Sequence, residues 1–403
     1  MDARAVVNVF VVNAGSSSIK AAAFAGDAWR ERSLEPAWSC EVRWTTLPAR
    51  AKLVWSTPTS HGEAEVAVDD HGSGVAEIVR IARETVDLRP AVVGHRVVHG
   101  GDEREPARID ERVRDAIEAA ADLAPAHNRA ALAGIDACTA AFPDALQAAE
   151  FDTAFHATMP PEAAAFALPY AWFAERGLRR YGFHGISHGW CARRTAELLG
   201  VDPHGLRLVS AHLGNGASLA AIVSGASVDT TMGFTPLDGL MMGTRSGSVD
   251  PGLVLYLLRT GASTVEELDR TLNHDSGLLG VSTISSDVRD VAAAAERGVA
   301  SAALALDMFV HRVSASIAAM AASAGGIDAL AFTGGIGEHS ALVRGRVCSR
   351  LRFLGVALDA ERDAGNGDRE IGAADAAVRT VVVRAREELA VARAVARFAR
   401  VNL

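Results

Sequence analysis

Seven short stretches of this chain carry hydroxyl, imidazole, carboxylate or guanidinium groups, five of them together with glycine. Asn13-Ala14-Gly15-Ser16-Ser17-Ser18-Ile19-Lys20 offers backbone N–H groups and hydroxyls at a turn of small residues, a surface that can line a phosphate. The G-x-x-x-x-G-K-[ST] spacing of a Walker loop is absent, and a plain hairpin turn has the same composition. Gly94-His95-Arg96-Val97-Val98-His99-Gly100-Gly101 sets an arginine inside an apolar strand, which is costly unless the charge is paired. Strand alternation puts His95, Val97 and His99 on one face and Arg96 and Val98 on the other. An edge strand with Arg96 in solvent is the bland alternative to an anion site. Phe151-Asp152-Thr153 ends an apolar run with a carboxylate that can hold a cation or orient a nucleophile, or can simply begin a surface turn.

Tyr181-Gly182-Phe183-His184-Gly185-Ile186-Ser187-His188 has two histidines four apart, but no further Cys, His or carboxylate spacing supports zinc. Ser187 is suited to cap the helix that follows. Gly239-Leu240-Met241-Met242-Gly243-Thr244-Arg245-Ser246-Gly247-Ser248 surrounds Arg245 with glycines and hydroxyls, where its fork of donors can clamp a carboxylate or phosphate. The bland alternative is one more arginine in an arginine-rich chain. Thr333-Gly334-Gly335-Ile336-Gly337-Glu338 reads as a glycine turn after a strand. Glu387-Glu388 opens the last helix, where acidic residues favour the helix dipole.

The elements that must position these groups follow from periodicity. Val6–Val12 and 19–25 flank the first turn as a β-hairpin, and 206–213 and 217–223 flank Gly214-Asn215-Gly216 as a second. The strand–turn–strand pattern thus occurs twice, half a chain apart, which hints at two related domains. Further strands are expected at 91–98, 147–153, 329–332 and 378–383. Helices are expected at 72–87, 109–123, 129–141, 187–199, 252–259, 265–272, 287–297, 300–322 and 387–400. The domain boundary is placed near Glu150.

Composition narrows the class. The 403 residues carry a net charge of -9 and no long basic run, so no nucleic-acid partner is expected. Cys40, Cys138, Cys191 and Cys348 are scattered without a C-x-x-C pair, as for reduced thiols. The first apolar run is too short for a signal peptide, and 299–324 is interrupted by Asp307, His311 and Arg312, so it reads as a buried helix and not a membrane span. A cytoplasmic protein is expected. Only two residues are lysine: Lys52 lies in no motif, whereas Lys20 closes the first hairpin.

In order and spacing these motifs resemble the acetate kinase family, short-chain acyl-phosphate kinases of the acetate and sugar kinase/Hsp70/actin superfamily. The resemblance runs from Asn13 to Glu388. It implies an α/β fold of two duplicated actin/ribonuclease-H-like domains with a central cleft: residues 1–150, completed by the C-terminal helix 388–403, and 151–387. It implies reversible transfer of the ATP γ-phosphoryl to acetate, giving acetyl phosphate and ADP, by direct in-line transfer with Mg2+ or Mn2+. By the same resemblance Asn13, Ser16, Ser18 and Lys20 belong to the first phosphate hairpin, and His212, Gly214, Asn215 and Gly216 to the second. Gly335, Ile336, Gly337 and His339 line the nucleotide pocket. Arg96 and Arg245 hold the carboxylate and the transferring phosphoryl, Asp152 serves catalysis, His184 supports the phosphoryl with His127 nearby, and Asn13 and Glu387 hold the metal. Val98, Ala126, Phe183 and Pro236, with Arg96, make a small pocket for the acyl methyl. The implied partners are a small carboxylate and a nucleotide, with no nucleic acid and no membrane, in a homodimer.

The chemistry is consistent with those residue types. A carboxylate is ionised at neutral pH and needs no general base. It needs relief from charge as it meets an anionic phosphoryl group, which arginines, a metal and a histidine donor supply. Three positions depart from the family's usual residues: Ala126 for Leu, His339 for Asn, and Arg386 for Asn or Asp. Ala126 leaves extra room in the acyl pocket, so broadened use of propionate is expected. A propionate or butyrate kinase and a nucleotide-binding module without catalysis are the competing readings.

Overall fold

The computed structural model describes residues 6–15, 18–25, 35–45 and 50–402; the expected phosphate ligand Ser16 lies outside them. The chain divides into two compact units, Met1–Ala154 with Arg386–Leu403, and Phe155–Ala385.

The first unit is built on an eight-stranded sheet. Its strands are β1 (Val6–Ala14), β2 (Ser18–Ala25), β3 (Trp38–Trp44), β4 (Arg50–Ser56), β5 (His61–Ala67), β6 (Asp87–Val97), β7 (Ala107–Arg108) and β8 (Leu146–Phe151), in the order β5-β4-β3-β2-β1-β6-β8-β7. β1 and β2 form the expected hairpin, while β1, β6 and β8 run parallel. β6 is therefore an interior strand, which removes the reading of Arg96 as an edge residue in solvent. Phe10, Val12, Trp38, Val42, Leu53, Ile78 and Phe142 form the larger core of this unit, under the helices His71–Thr85 and Pro125–Ala141. The helix Glu387–Asn402 packs on β1, β6 and β8. Gly94 makes that approach possible, since a Cβ there would stand 3.0 Å from Val391 and Val395.

The second unit repeats the pattern. Its strands are β9 (Arg207–Leu213), β10 (Ala217–Val223), β11 (Ala226–Thr230), β12 (Ala329–Thr333), β13 (Arg369–Glu370) and β14 (Arg379–Val382), in the order β11-β10-β9-β12-β14-β13. Here β9 and β10 are the hairpin, and β9, β12 and β14 are parallel. The succession β3-β2-β1-β6-β8 thus has the same order and directions as β11-β10-β9-β12-β14, which is the duplication hinted at by the two turns. The helix Gly185–Leu199 packs on β9 and β12, and Ala300–Ser323 on β9, β10 and β11.

Ala300–Ser323 is, among the described residues, the one helix long and apolar enough to cross a membrane. Ala302, Leu306, Phe309, Val310, Val313 and Ile317 are buried along one face, with Asp307, His311 and Arg312 exposed, so it is a core helix. All four cysteines are buried free thiols.

Local structure differs from expectation at three places. The second of the two helices starts at Pro125 rather than at 129; the proline occupies its first turn, where its missing N–H costs nothing. The stretch after β12 is a six-residue helix, Gly334–His339, rather than a turn. Ser187 lies inside its helix and does not cap it; the N-cap is His184, in the left-handed region at φ 56°.

Candidate active site

In the first unit the carboxyl ends of β1, β6 and β8 and the first turn of Glu387–Asn402 gather four charged or amide groups. In open α/β sheets this is the end of the strands where ligands bind. Asp152 follows β8 directly, is 1% exposed, and is held by its N–H donating to the Val97 carbonyl at 2.9 Å. Arg96 donates to Asp152 Oδ2 from Nε at 3.1 Å and Nη2 at 2.6 Å, and from Nη1 to Asn13 Oδ1 at 3.1 Å. Its Nη1 also stands 3.6 Å from Glu387 Oε2, to which Asn13 Nδ2 donates at 3.1 Å. Burial opposes the charge of Arg96, but Asp152, then Glu387 and Glu388, outweigh it and raise its pKa. Glu388 is pushed above the ordinary carboxylate value, first by burial and then by Glu387; the Lys20 charge and a bond from Asn13 act against that shift. Lys20 is exposed and sits opposite Asn13 across the hairpin.

Two unforeseen residues position this group. His71 Nε2 donates to the Gly15 carbonyl at 2.9 Å and its ring lies 4.9 Å from that of Trp44, which fixes the base of the hairpin tip. Asn128 is fully buried; it accepts from the His99 N–H and donates to the His99 and Ile117 carbonyls. It ties the start of the Pro125–Ala141 helix, where His127 lies, to the segment after Val98. Val98 is buried. The side chain of Ala126 lies outside the described residues. His95 and His99, on the opposite face from Arg96, are buried structural groups. Burial brings both down to about 4, so they are neutral, and His95 bonds Gln147 at 2.9 Å.

In the second unit the hairpin tip, the residues before Gly185–Leu199 and the glycine loop converge. His184 and His212 stack with ring centroids 4.3 Å apart. His184 Nδ1 lies 2.9 Å from Ser218 Oγ, and Ser187 Oγ lies 2.8 Å from His212 Nδ1, which is the role Ser187 has in place of a cap. Gly216 is the hinge of this arrangement: a Cβ there would come 2.9 Å from Arg245 Nη2 and 3.4 Å from His184 Nε2. Arg245 donates to the Pro236 carbonyl at 2.7 Å. Among the described residues no carboxylate pairs with it, and burial lowers its pKa to about 10, so it is still charged at neutral pH. A part-buried guanidinium with no counter-ion among the described residues is suited to take an anion. Phe183 is buried beside His184, its carbonyl accepting from His156 Nε2 at 3.0 Å.

Next to the same hairpin is a cavity of about 430 Å³ lined by Gly214, Asn215, Ser286, Asp287, Val288, Arg289, Gly335, Ile336, His339 and Ser340. Five of the expected nucleotide residues thus share one cavity. Gly337 does not line it; that glycine packs inward against Phe332 and Ala211. The 286–289 wall was not foreseen. Asp287 caps the helix Val288–Glu296 and is clasped by Arg289, a local pattern with no signature beyond an ordinary cap. The divergent Arg386 pairs with Glu35 at 3.1 Å.

The duplicated sheets, each with a hairpin beside a guanidinium, are the acetate and sugar kinase/Hsp70/actin fold, and the enzyme class is a phosphotransferase with a carboxyl group as acceptor. The chain belongs to the Acetokinase family, whose model matches residues 8–393. It is 49% identical to an acetate kinase of a Synechococcus species and 45% identical to that of Nostoc punctiforme, each time over 96% of this chain and 98% of the relative. Among solved structures it is similar to the acetate kinase of Porphyromonas gingivalis (36% identity, TM-score 0.85) and to a propionate kinase of Francisella tularensis (34%, TM-score 0.87). Each of these alignments covers 96% of this chain and 98% of the other.

Proposed function

We infer that this enzyme transfers the γ-phosphoryl group of ATP to acetate, reversibly, giving acetyl phosphate and ADP. The observation that carries the reading is Arg245, a part-buried cation whose described partner is a neutral carbonyl, beside a glycine hairpin and an imidazole. Arg245 and His184 bind the transferring phosphoryl, and the cavity from Gly214 to Ser340 takes the nucleotide. Arg96, held by Asp152 and Asn13, orients the acetate carboxylate. The residues supply charge neutralisation and alignment for direct in-line attack by a carboxylate that is already ionised. Lys20 faces phosphate as a point charge, and Val98, Phe183 and Pro236 contact the acyl methyl.

Among the described residues no three His, Cys, Asp or Glu side chains form a metal cage. Magnesium does not need one, since it commonly takes one or two carboxylates and completes its shell with water and substrate phosphates. The hard oxygen donors of Asn13 and Glu387 fit it. So does the mutual repulsion of Glu387 and Glu388, which a dication would relieve. When bound, Mg2+ or Mn2+ offsets phosphate charge.

The deciding experiment is a hydroxylamine trap for acyl phosphate, run with ATP, GTP or pyrophosphate against C2 to C4 carboxylates. ATP with acetate should give acyl hydroxamate in a metal-dependent manner. No hydroxamate with any pair would sink the reading. Ala126 favours a second product, propionyl phosphate; a steep loss of kcat/KM from acetate to propionate would remove it.

The enzyme is read as a cytoplasmic homodimer. The helix Pro251–Thr260 is strongly apolar yet buries none of its residues, and Leu253, Leu255 and Tyr256 are each at least half exposed. A monomer in sedimentation equilibrium at micromolar concentration would refute the dimer.

A further inference from the structure

The chain leaves the second unit through a short irregular segment between β14, which ends at Val382, and the helix that starts at Glu387. The Val383 N–H still donates to the Phe332 carbonyl at 2.9 Å, as a strand would. After it, side chains do the fastening. The Arg384 N–H donates to Asp368 Oδ1 at 2.8 Å, and the Arg384 carbonyl accepts from the Trp190 indole at 3.0 Å. The Ala385 N–H donates to Glu338 Oε1 at 2.9 Å. Ala385 is the last residue of the second unit, and Glu387 lies two residues on.

Glu338 differs from Asp368 and Trp190 in where it stands. It belongs to the helix Gly334–His339, of which Gly335, Ile336 and His339 line the cavity beside the second hairpin. The backbone of that helix is itself fixed. Arg344 is 1% exposed and donates from Nη1 to the Gly337 and Glu338 carbonyls, both at 2.9 Å. Its own charge is met by Asp363, to whose Oδ1 its Nε donates at 2.6 Å. The Glu338 carboxylate is thus mounted on a braced turn, and its bond to the Ala385 amide is of the stronger, charge-assisted kind.

We propose that Glu338 is a positioning residue, which ties the backbone just before Glu387 to the helix that lines the nucleotide cavity. This rests on the reading of Glu387 as a metal carboxylate and of the cavity as the nucleotide's. Near-ideal octahedral geometry, with the shell completed by substrate phosphates, is what magnesium demands. Such a shell tolerates little drift between the carboxylate and the phosphates. The carboxylate is carried by the segment after Val383, and the nucleotide by the cavity. Glu338 joins the one to the other through a single side chain, and its effect passes through backbone, not through contact with a reacting atom.

The first arm of the test needs neither metal nor substrate. Amide hydrogen exchange resolved to Ala385 should quicken about tenfold in Glu338→Ala, the scale of one bond to a charged acceptor. Glu338→Gln keeps an acceptor oxygen and should stay close to wild type. Unchanged exchange in the alanine variant overturns the proposal. The second arm titrates Mn2+ into the complex of the enzyme with ADP and reads the bound metal by electron paramagnetic resonance. Glu338→Ala should weaken Mn2+ binding about tenfold, the lower end of the cost of losing an outer partner of a metal ligand. Glu338→Gln should recover most of that loss, and ADP affinity without metal should be unchanged in both. An equal loss of ADP affinity without metal would mean that Glu338 only shapes the cavity, and would overturn the proposal. Mn2+ binding that survives Glu338→Ala but falls in Glu387→Ala overturns the proposal alone. Binding that survives Glu387→Ala removes the metal reading, and the proposal with it.

Discussion

Removing Arg96 and removing Arg245 should have different thermodynamic consequences, although both should abolish most turnover. Arg96 is the partner of Asp152, which is 1% exposed. Arg96→Ala would remove the cation that pairs with that buried carboxylate, a loss of about 3–5 kcal/mol for a broken buried pair. Arg245 has only the Pro236 carbonyl as its described partner, so Arg245→Ala leaves no buried charge behind. It should lower kcat about 10²–10³-fold, as for removal of a donor aimed at developing charge, with little change in stability. Urea unfolding beside steady-state kinetics separates the two; equal stability losses would mean that Arg245 also has a structural carboxylate. The residue types were legible in sequence because an arginine in an apolar strand and an arginine among glycines both need an anion. The difference between them was not legible, since Asp152 lies 56 residues from Arg96 and Glu387 almost 300, and only strand pairing and the packing of the last helix bring them together. The supporting residues His71, Asn128 and Ser218 were illegible as such for the same reason: a single polar residue in a helix or strand has no local mark of its partner.

At the scale of elements, the loop carrying Arg245 is held by backbone, and glycine is what permits it. The Gly243 N–H donates to the Asn215 carbonyl, the Ser276 N–H to Thr244, and the Leu278 N–H to Met242. Gly277 passes beneath at φ 64°, where a Cβ would stand 2.2 Å from the Met242 carbonyl oxygen and 2.8 Å from that of Arg245. Gly277→Ala should therefore displace the Arg245 loop and lower kcat strongly. Gly261 is the control: it has φ 68° but nothing within 4 Å of a Cβ, at the end of the helix Pro251–Thr260. Gly261→Ala bears only the left-handed penalty, about 1 kcal/mol, and should keep its kcat. Should both variants lose stability alone, the loop does not depend on that close approach. The two hairpins were readable because small turn residues separate two apolar runs. The strands β3 to β5 were not read, because Glu41, Arg43, Lys52, Glu63 and Glu65 alternate with the core residues and dilute the apolar signal. Lys52, expected at the surface, is there, paired with Glu63.

Across the whole molecule, both units bury neutral histidines, and this sets how stability varies with pH. His95 and His99 in the first unit and His156 in the second are brought to about 4, in each case foremost by burial, and His188 is also lowered. In the unfolded chain a histidine titrates near 6.5. Between about 6.5 and 4 the unfolded state therefore binds more protons than the native state, and stability must rise with pH there. Equivalently, the contribution is fully present above 6.5 and is lost as pH falls toward 4. The slope approaches about 1.4 kcal/mol per pH unit for each such histidine. Carboxylates act in a lower window. Asp287, held low by Arg289, and Asp328, held low by Arg207, lose their contribution only as pH falls below the usual carboxylate value near 4. From pH 6.5 to 5 the lowered histidines dominate, and the one raised carboxylate among the described residues, Glu388, acts in the opposite sense. Urea midpoints should be constant from pH 8 to 7 and fall steeply from 6.5 to 5, in whichever unit a probe reports, because each contains at least one histidine of this kind. A constant midpoint across that interval would mean that the buried imidazoles take up protons as readily in the native state as in the unfolded chain.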